Sequence, residues 1–180
     1  MDRYEIVRLV ESARKRGDMP ALYQADLQGI DLSGLDLRRV YLCHVNFAGA
    51  NLQGTNLSWA NLREANLKNA NLSQANLNGA NLFRASFGGA NLTEADLRRA
   101  NLRGAQLNQA NLQGANLRGA NLFRANLNQC VLIEATMIGV NPSGADFSRA
   151  NLTNAVIIRE QLSIAGNLSQ TIMPDGTIHD

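Results

Sequence analysis

The chain is poor in the groups from which active sites and disulfide scaffolds are built. It has two histidines, two cysteines, three prolines and one tryptophan in 180 residues. Two cysteines make no disulfide framework, and a reducing, cytoplasmic compartment is the expectation they carry. His44 and His179 stand apart in the sequence, and His44 beside Cys43 reads as a surface pair rather than a ligand pair. No metal and no cofactor is expected. No apolar run is long enough to span a bilayer, and no signal-peptide core is present, so no membrane association is expected. The net charge of +2 is too small by itself to argue for nucleic acid.

What the chain has instead is a repeat. From Ala50 onward it runs ANLQG TNLSW ANLRE ANLKN ANLSQ, one pentapeptide after another. Let i be the large apolar residue. Position i falls on every fifth residue from Leu27 to Ile157, which gives 27 pentads without a slip. Leucine fills it 21 times; the exceptions are Phe47, Phe87, Met137, Pro142, Phe147 and Ile157. Alanine fills i−2 in 20 pentads, and i−1 is Asn 16 times and Asp 5 times. Positions i+1 and i+2 read as free to vary.

A period of five fits neither a helix nor a strand. Only i−2 and i are reliably apolar, so these two face inward, small beside large. One pentad buries nothing alone, whereas stacked turns of chain do. The inward positions hold Ala, Leu, Ile, Val, Phe, Met and Pro, plus Thr55 and Cys130. No acid, base or nucleophile cluster converges inside, so no enzyme is expected. Cys130, at i−2, is expected buried; Cys43, at i+1, exposed.

The A(N/D)LXX tandem resembles the pentapeptide-repeat family over roughly residues 20 to 158. The resemblance implies an all-β solenoid, a right-handed quadrilateral β-helix with four pentads per coil and about seven coils. The stack would be roughly 32 Å long at about 4.8 Å per coil. Three regions follow: an N-terminal capping helix at 1–19, the β-helix at 20–158, and a C-terminal cap and tail at 159–180. The ending IMPDGTIHD, Ile172 to Asp180, is similar to that of cyanobacterial members, one of them a regulator of heterocyst differentiation.

Residues 2 to 16 read as a helix that covers the open end of the solenoid. Asp2 and Glu5 form a capping box, Ile6, Leu9, Val10 and Ala13 share one face, and Gly17 closes it. The stretch 130–144 departs from the pattern: Val131, Ile133 and Ile138 are apolar at outward positions, and Pro142-Ser143-Gly144 forms turns. A bulge is expected there. The outward trio is read either as covered by the C-terminal segment or as a dimer contact, so both monomer and homodimer remain open. After Ile157 the period fades into a short helix at 159–165.

With four pentads per coil, residues 20 apart share a column. One side carries the column Cys43, Arg63, Phe83, Arg103, Phe123, beside Arg84 and Arg124. The side preceding it carries Arg38, Arg39, Arg98, Arg99, Arg118 and Trp59. Together they hold 9 of the 11 basic residues of the repeat region and net +6. The partner-binding candidates are Arg63, Phe83, Arg84, Arg103, Phe123 and Arg124, because arginine with aromatics is the composition of protein hot spots; the other reading is that Phe83 and Phe123 stack on neighbouring arginines and only shield the solenoid. The expected function is a non-enzymatic protein-interaction scaffold with an unidentified protein partner. The Arg/Phe stripe could touch phosphates, but nothing on it reads bases, so nucleic acid is not the expected partner. The alternative implied by the resemblance is DNA mimicry that protects DNA gyrase. That needs an acidic surface, and here i−1 is mostly neutral Asn.

Overall fold

A computed structural model describes residues 1–180. Its organising contact is a parallel bridge between position i−1 of one pentad and i−1 of the pentad 20 residues on, as in Asn61 with Asn81 and Asn81 with Asn101. Such bridges run without a break from Ala21 to Val156. Each 20-residue coil therefore has four sides and four corners. A side contributes a single bridging residue because its other four form the corner: the amide of each i−2 bonds the carbonyl of the preceding i, as Ala65 N to Leu62 O at 3.0 Å. Longer strands have no room to form.

The corners constrain the sequence more than their variety suggests. The i+2 residue has φ between +53° and +73° at all 27 corners from Gln24 to Asn154. This is the left-handed third position of a type II turn. Eleven of the 27 are glycine and none is β-branched, because a branched Cβ collides with the backbone there. Position i+2 is thus not free to vary.

The backbone amides of the repeat pair by one fixed scheme. The amide of i reaches the i−1 carbonyl of the next coil (Leu62 N to Asn81 O, 2.8 Å), and that of i+2 reaches the next i+1 (Glu64 N to Phe83 O, 2.9 Å). The amide of i−1 reaches back to the previous i−2 (Asn81 N to Ala60 O, 3.0 Å). Only the i+1 amide is left over, and where i−1 is Asn or Asp its side chain takes it. All 21 Asn and Asp residues at i−1 accept from the amide two residues on, the Asx-turn bond. Asn adds a second bond that Asp cannot make. Its Nδ2 donates to the side-chain oxygen one coil below, as Asn66 to Asn46 and Asn91 to Asn71. Asp26 and Asp31 lie in the first coil, where no coil below waits for a donor, and they accept from Asn46 and Asn51. Replacing Asn71 with alanine strands the Ser73 amide and the Asn91 amide group. Urea unfolding should show a loss of about 1 kcal/mol, the usual net value of such bonds.

Leu, Phe and Met at i and Ala at i−2 form one continuous core, with Phe47, Phe87 and Phe147 fully buried. The polar inward residues are satisfied by one device. Thr55 Oγ1 donates to Leu32 O at 2.9 Å and Cys130 Sγ to Leu107 O at 2.8 Å, in each case the i carbonyl of the coil below. Cys130 is buried as expected, and burial pushes its thiol up to about 12. Cys43 is also buried, at 4% exposure, contrary to its outward position. It lies beside the Tyr41 phenol, whose pKa it raises.

The helix α1 (Arg3–Lys15) caps the first coil. Asp2 Oδ1 accepts from Glu5 N at 2.9 Å and Glu5 Oε2 accepts from Asp2 N at 2.7 Å, the reciprocal capping box. At its far end Gly17 has φ +78°, and Asp18 N bonds Ala13 O while Gly17 N bonds Arg14 O, a Schellman closure. Ile6, Val10 and Ala13 are buried against the solenoid. Two arginines of α1 stand in for the missing coil below. Arg3 donates to the carbonyls of Asp31 and Ser33, and Arg14 to that of Arg38 and to the Asp36 carboxylate.

At 130–144 no bulge forms: Asn111–Val131, Asn116–Thr136 and Asn121–Asn141 keep the 20-residue step. Val131, Ile133 and Ile138 are half-buried at outward positions. Past Ile157 the corner is replaced by α2 (Arg159–Leu162). Pro142 has no amide to donate, and it faces this interruption. Gln161 bridges the gap with its side chain: Oε1 accepts from Gly139 N at 3.2 Å and Nε2 donates to Val140 O at 2.8 Å. An amide side chain thus imitates the absent peptide. Stacking then resumes with one residue inserted, pairing Asp146 with Asn167 and Asn151 with Ile172. The strand β1 (Thr171–Ile172) pairs antiparallel with β2 (Ile178–His179), which lines the last coil's edge. Arg159 holds the intervening turn through Asp175 at 2.7 Å.

Candidate interaction surface

Corner side chains form vertical columns, because i+1 and i+2 repeat at the same place in every coil. On the side through Leu62, Leu82, Leu102 and Leu122, the column of i+1 residues places Arg63 under Phe83 and Arg103 under Phe123. The neighbouring i+2 residues, Arg84 and Arg124, close on the same rings. Each phenyl is held between two guanidiniums, with centroid distances of 5.1 and 5.0 Å for Phe83 and 5.1 Å twice for Phe123. These distances lie within cation–π range. Both rings are therefore half-buried rather than bare. The six nominated residues come together as two identical clamps, two coils apart.

The arginines differ in what else they hold. Arg63 is tied to Glu64 at 3.2 Å, and Glu64 also reaches His44 at 3.5 Å. Arg84, Arg103 and Arg124 have no carboxylate partner. The clamp holds them against a ring without neutralising their positive charge.

The preceding side, through Leu37, Leu57, Leu97 and Leu117, carries a second basic group. Arg98 pairs with Asp96 at 2.6 Å. Burial raises the Asp96 pKa, but its bonds from Arg98 outweigh this and hold it below the usual carboxylate range. Arg38 pairs with Asp36 at 3.0 Å. Arg39, Arg99 and Arg118 have no carboxylate partner. Among them stands Trp59, 56% exposed. The repeat pattern puts Trp59 on this side but does not mark it as a contact residue. The available signal was its position: a bulky aromatic at i+2, where glycine prevails.

The sequence profile described as pentapeptide repeats matches residues 22–58, 60–99, 100–137 and 125–157, in eight copies. The chain belongs to the pentapeptide repeat family. Among solved structures of this family it is similar to HetL from Nostoc sp. strain PCC 7120, a protein involved in heterocyst differentiation regulation. The two are 27% identical over 99% of this chain and all of that one, with a TM-score of 0.50. It also resembles a trypsin-treated form of QnrB1, a plasmid-mediated fluoroquinolone resistance protein, at 25% identity over 75% of this chain and 71% of that one, TM-score 0.40. A pentapeptide repeat protein of the Arabidopsis thaliana thylakoid lumen is 32% identical over 69% of each chain, TM-score 0.25. No curated protein matches. No helix is long and apolar enough to cross a membrane. As a pentapeptide repeat scaffold, the chain presents its chemistry on outward columns, and the two basic sides carry 9 of the 11 basic residues of the repeat region.

Proposed function

We propose that this pentapeptide repeat protein is a non-enzymatic, cytoplasmic interaction scaffold that binds a protein partner through its Arg/Phe side. The family's right-handed quadrilateral winding is taken for its coils. The supporting observation is the pair of clamps. Phe83 and Phe123 pre-position Arg84, Arg103 and Arg124, which have no carboxylate of their own. Fixing a guanidinium before contact lowers the ordering cost of binding. An acidic partner surface with two contact points about 10 Å apart, the rise of two coils, fits this spacing. DNA mimicry is disfavoured because the two basic sides net +6.

Arg84→Glu with Arg124→Glu reverses the charge at both clamps without touching an inward position. In a pull-down from native lysate, read by mass spectrometry, the partner retained by wild type should disappear. An identical set of captured proteins for the two forms would rule the surface out.

A further inference from the structure

Trp59 is the one bulky aromatic among the 27 left-handed corner positions, with φ +59°. Backbone of this kind disfavours a large side chain, and more than half of the ring's residue surface stays in water. The site therefore takes on local strain with incomplete burial in return, and such an outlier points to function. The indole has a defined seat. It lies over Gly79, its six-membered ring at 2.7 to 2.8 Å from where a Cβ on Gly79 would sit. Any other residue at 79 would displace it. One ring face is thus packed on backbone and the other is offered to solvent.

Trp59 also lies where two shallow concavities meet. One, of about 580 Å³, is completed by Arg98, Arg99 and Arg118. The other, of about 690 Å³, is completed by Arg14, Arg38 and Arg39 together with Asp18, Met19 and Pro20; Arg14 and Arg38 pair with Asp36, so Arg39 is its arginine without a carboxylate partner. A stacking platform thus has cationic groups both below and above it along the solenoid. Arg39 and Arg99, three coils apart, are separated by about 14 Å along the axis at the usual strand spacing. The first concavity has eight lining residues, of which only Trp59 is apolar; the rest include Asn76, Asn78 and Asn116.

We propose that Trp59 and its flanking arginines bind a short stretch of single-stranded nucleic acid, one base stacked on the indole and the phosphates on either side held by the guanidiniums. The composition is that of sequence-tolerant strand binding, in which an aromatic face takes the base and a basic groove takes the backbone. A mononucleotide carries phosphate on one side of its base only and leaves one arginine group unused. An acidic peptide finds no apolar recess in the first concavity, where Trp59 is the one apolar residue. The inference stands apart from the protein-contact reading, since it uses a different side of the solenoid.

Trp59 is the only tryptophan, so its fluorescence reports on this site alone. Titration with an oligothymidylate of roughly ten residues, within the usual range of site sizes, should quench the emission saturably. Anisotropy of the labelled oligonucleotide should show binding weakened about tenfold by Trp59→Gly, the order of one lost base stack. Arg99→Gln with Arg118→Gln should reduce the slope of log affinity against log salt by about 1 to 2. Phe83→Ala with Phe123→Ala, which dismantles the protein-contact clamps, should leave oligonucleotide affinity unchanged. Glycine already fills 11 of these 27 corners, so Trp59→Gly keeps the fold. The proposal is overturned by absence of quenching. It is overturned equally by thymidine monophosphate binding as tightly as the oligonucleotide, or by polyglutamate competing on equal terms, which would identify a mononucleotide or an acidic-peptide site instead.

Discussion

Deletion of the single residue Gly104 should leave the chain unfolded, whereas deletion of the five residues 101–105 should leave it folded. Losing one residue moves every downstream pentad one position out of register. Leu107, Leu112, Leu117, Leu122 and Leu127, all fully buried, would turn to the outward i−1 position. Each exposed leucine costs about 1.5–3 kcal/mol. Five together match or exceed the whole stability of a typical domain, about 5–15 kcal/mol. A local escape is closed as well. A side of four residues does not span the distance between corners that five cover, because chain reach falls by about 3.3 Å per residue lost. Losing five residues removes one side cleanly. Every later pentad advances by one corner, inward positions stay inward, and both end caps keep their own neighbours. Circular dichroism with thermal melting distinguishes the two. The five-residue deletion should melt cooperatively near the wild-type temperature, and the one-residue deletion should show no cooperative transition. Equal behaviour of the two would mean that register is not what holds the coils. The chain itself shows where an odd residue is tolerated. The step from Asp146 to Asn167 is 21 residues, and the extra one is absorbed where α2 replaces a corner.

Position i is legible in the sequence because the core demands Leu there, and so is the capping of α1, since Asp2, Glu5 and Gly17 act on near neighbours. The corner geometry left a fainter mark. Of the 15 glycines, 11 fall at i+2, yet, His44 and Trp59 aside, Gln, Arg, Glu and Asn occupy the other corners. Their unbranched or locally bonding side chains tolerate the left-handed region well enough to hide the rule. Contacts across coils were less legible still. Whether Phe83 is bare or clamped depends on Arg63, 20 residues earlier, and Gln161 looks like an ordinary surface amide until its coil is missing a peptide. Cys43 reads as exposed from its position alone; it is buried beside Tyr41, a departure from Asn at i−1. Pro142 suggested a bulge, but an inward proline at the penultimate coil only forfeits one amide bond, and the bridges on either side keep their step.

Ile6→Asp should release the N-terminal cap and drive the protein to self-associate through its first coil. Ile6 is fully buried on the solenoid-facing side of α1 with Val10 and Ala13. An aspartate there forfeits the apolar burial and leaves a carboxylate with no partner, together about 4–5 kcal/mol. The chain avoids this cost by undocking α1, which does not require the coils to unfold. Undocking has two consequences at the coil edge. The carbonyls of Asp31, Ser33 and Arg38 lose the guanidinium donors of Arg3 and Arg14. The apolar ends around Leu22, Leu27, Leu32 and Leu37 lose their cover. An open coil edge with unpaired carbonyls and exposed leucines is a template for a second chain. Hydrogen exchange should therefore show protection lost over residues 3–15 and retained from Leu42 to Asn151. Sedimentation should show species larger than wild type, increasing with concentration. Arg3→Ala with Arg14→Ala removes only the edge donors and keeps the apolar cover, so it should weaken protection of α1 without producing the larger species. If Ile6→Asp instead unfolds the coils together with the helix, the cap and the solenoid form one cooperative unit, and the nearest-neighbour picture of stacked repeats fails for this chain.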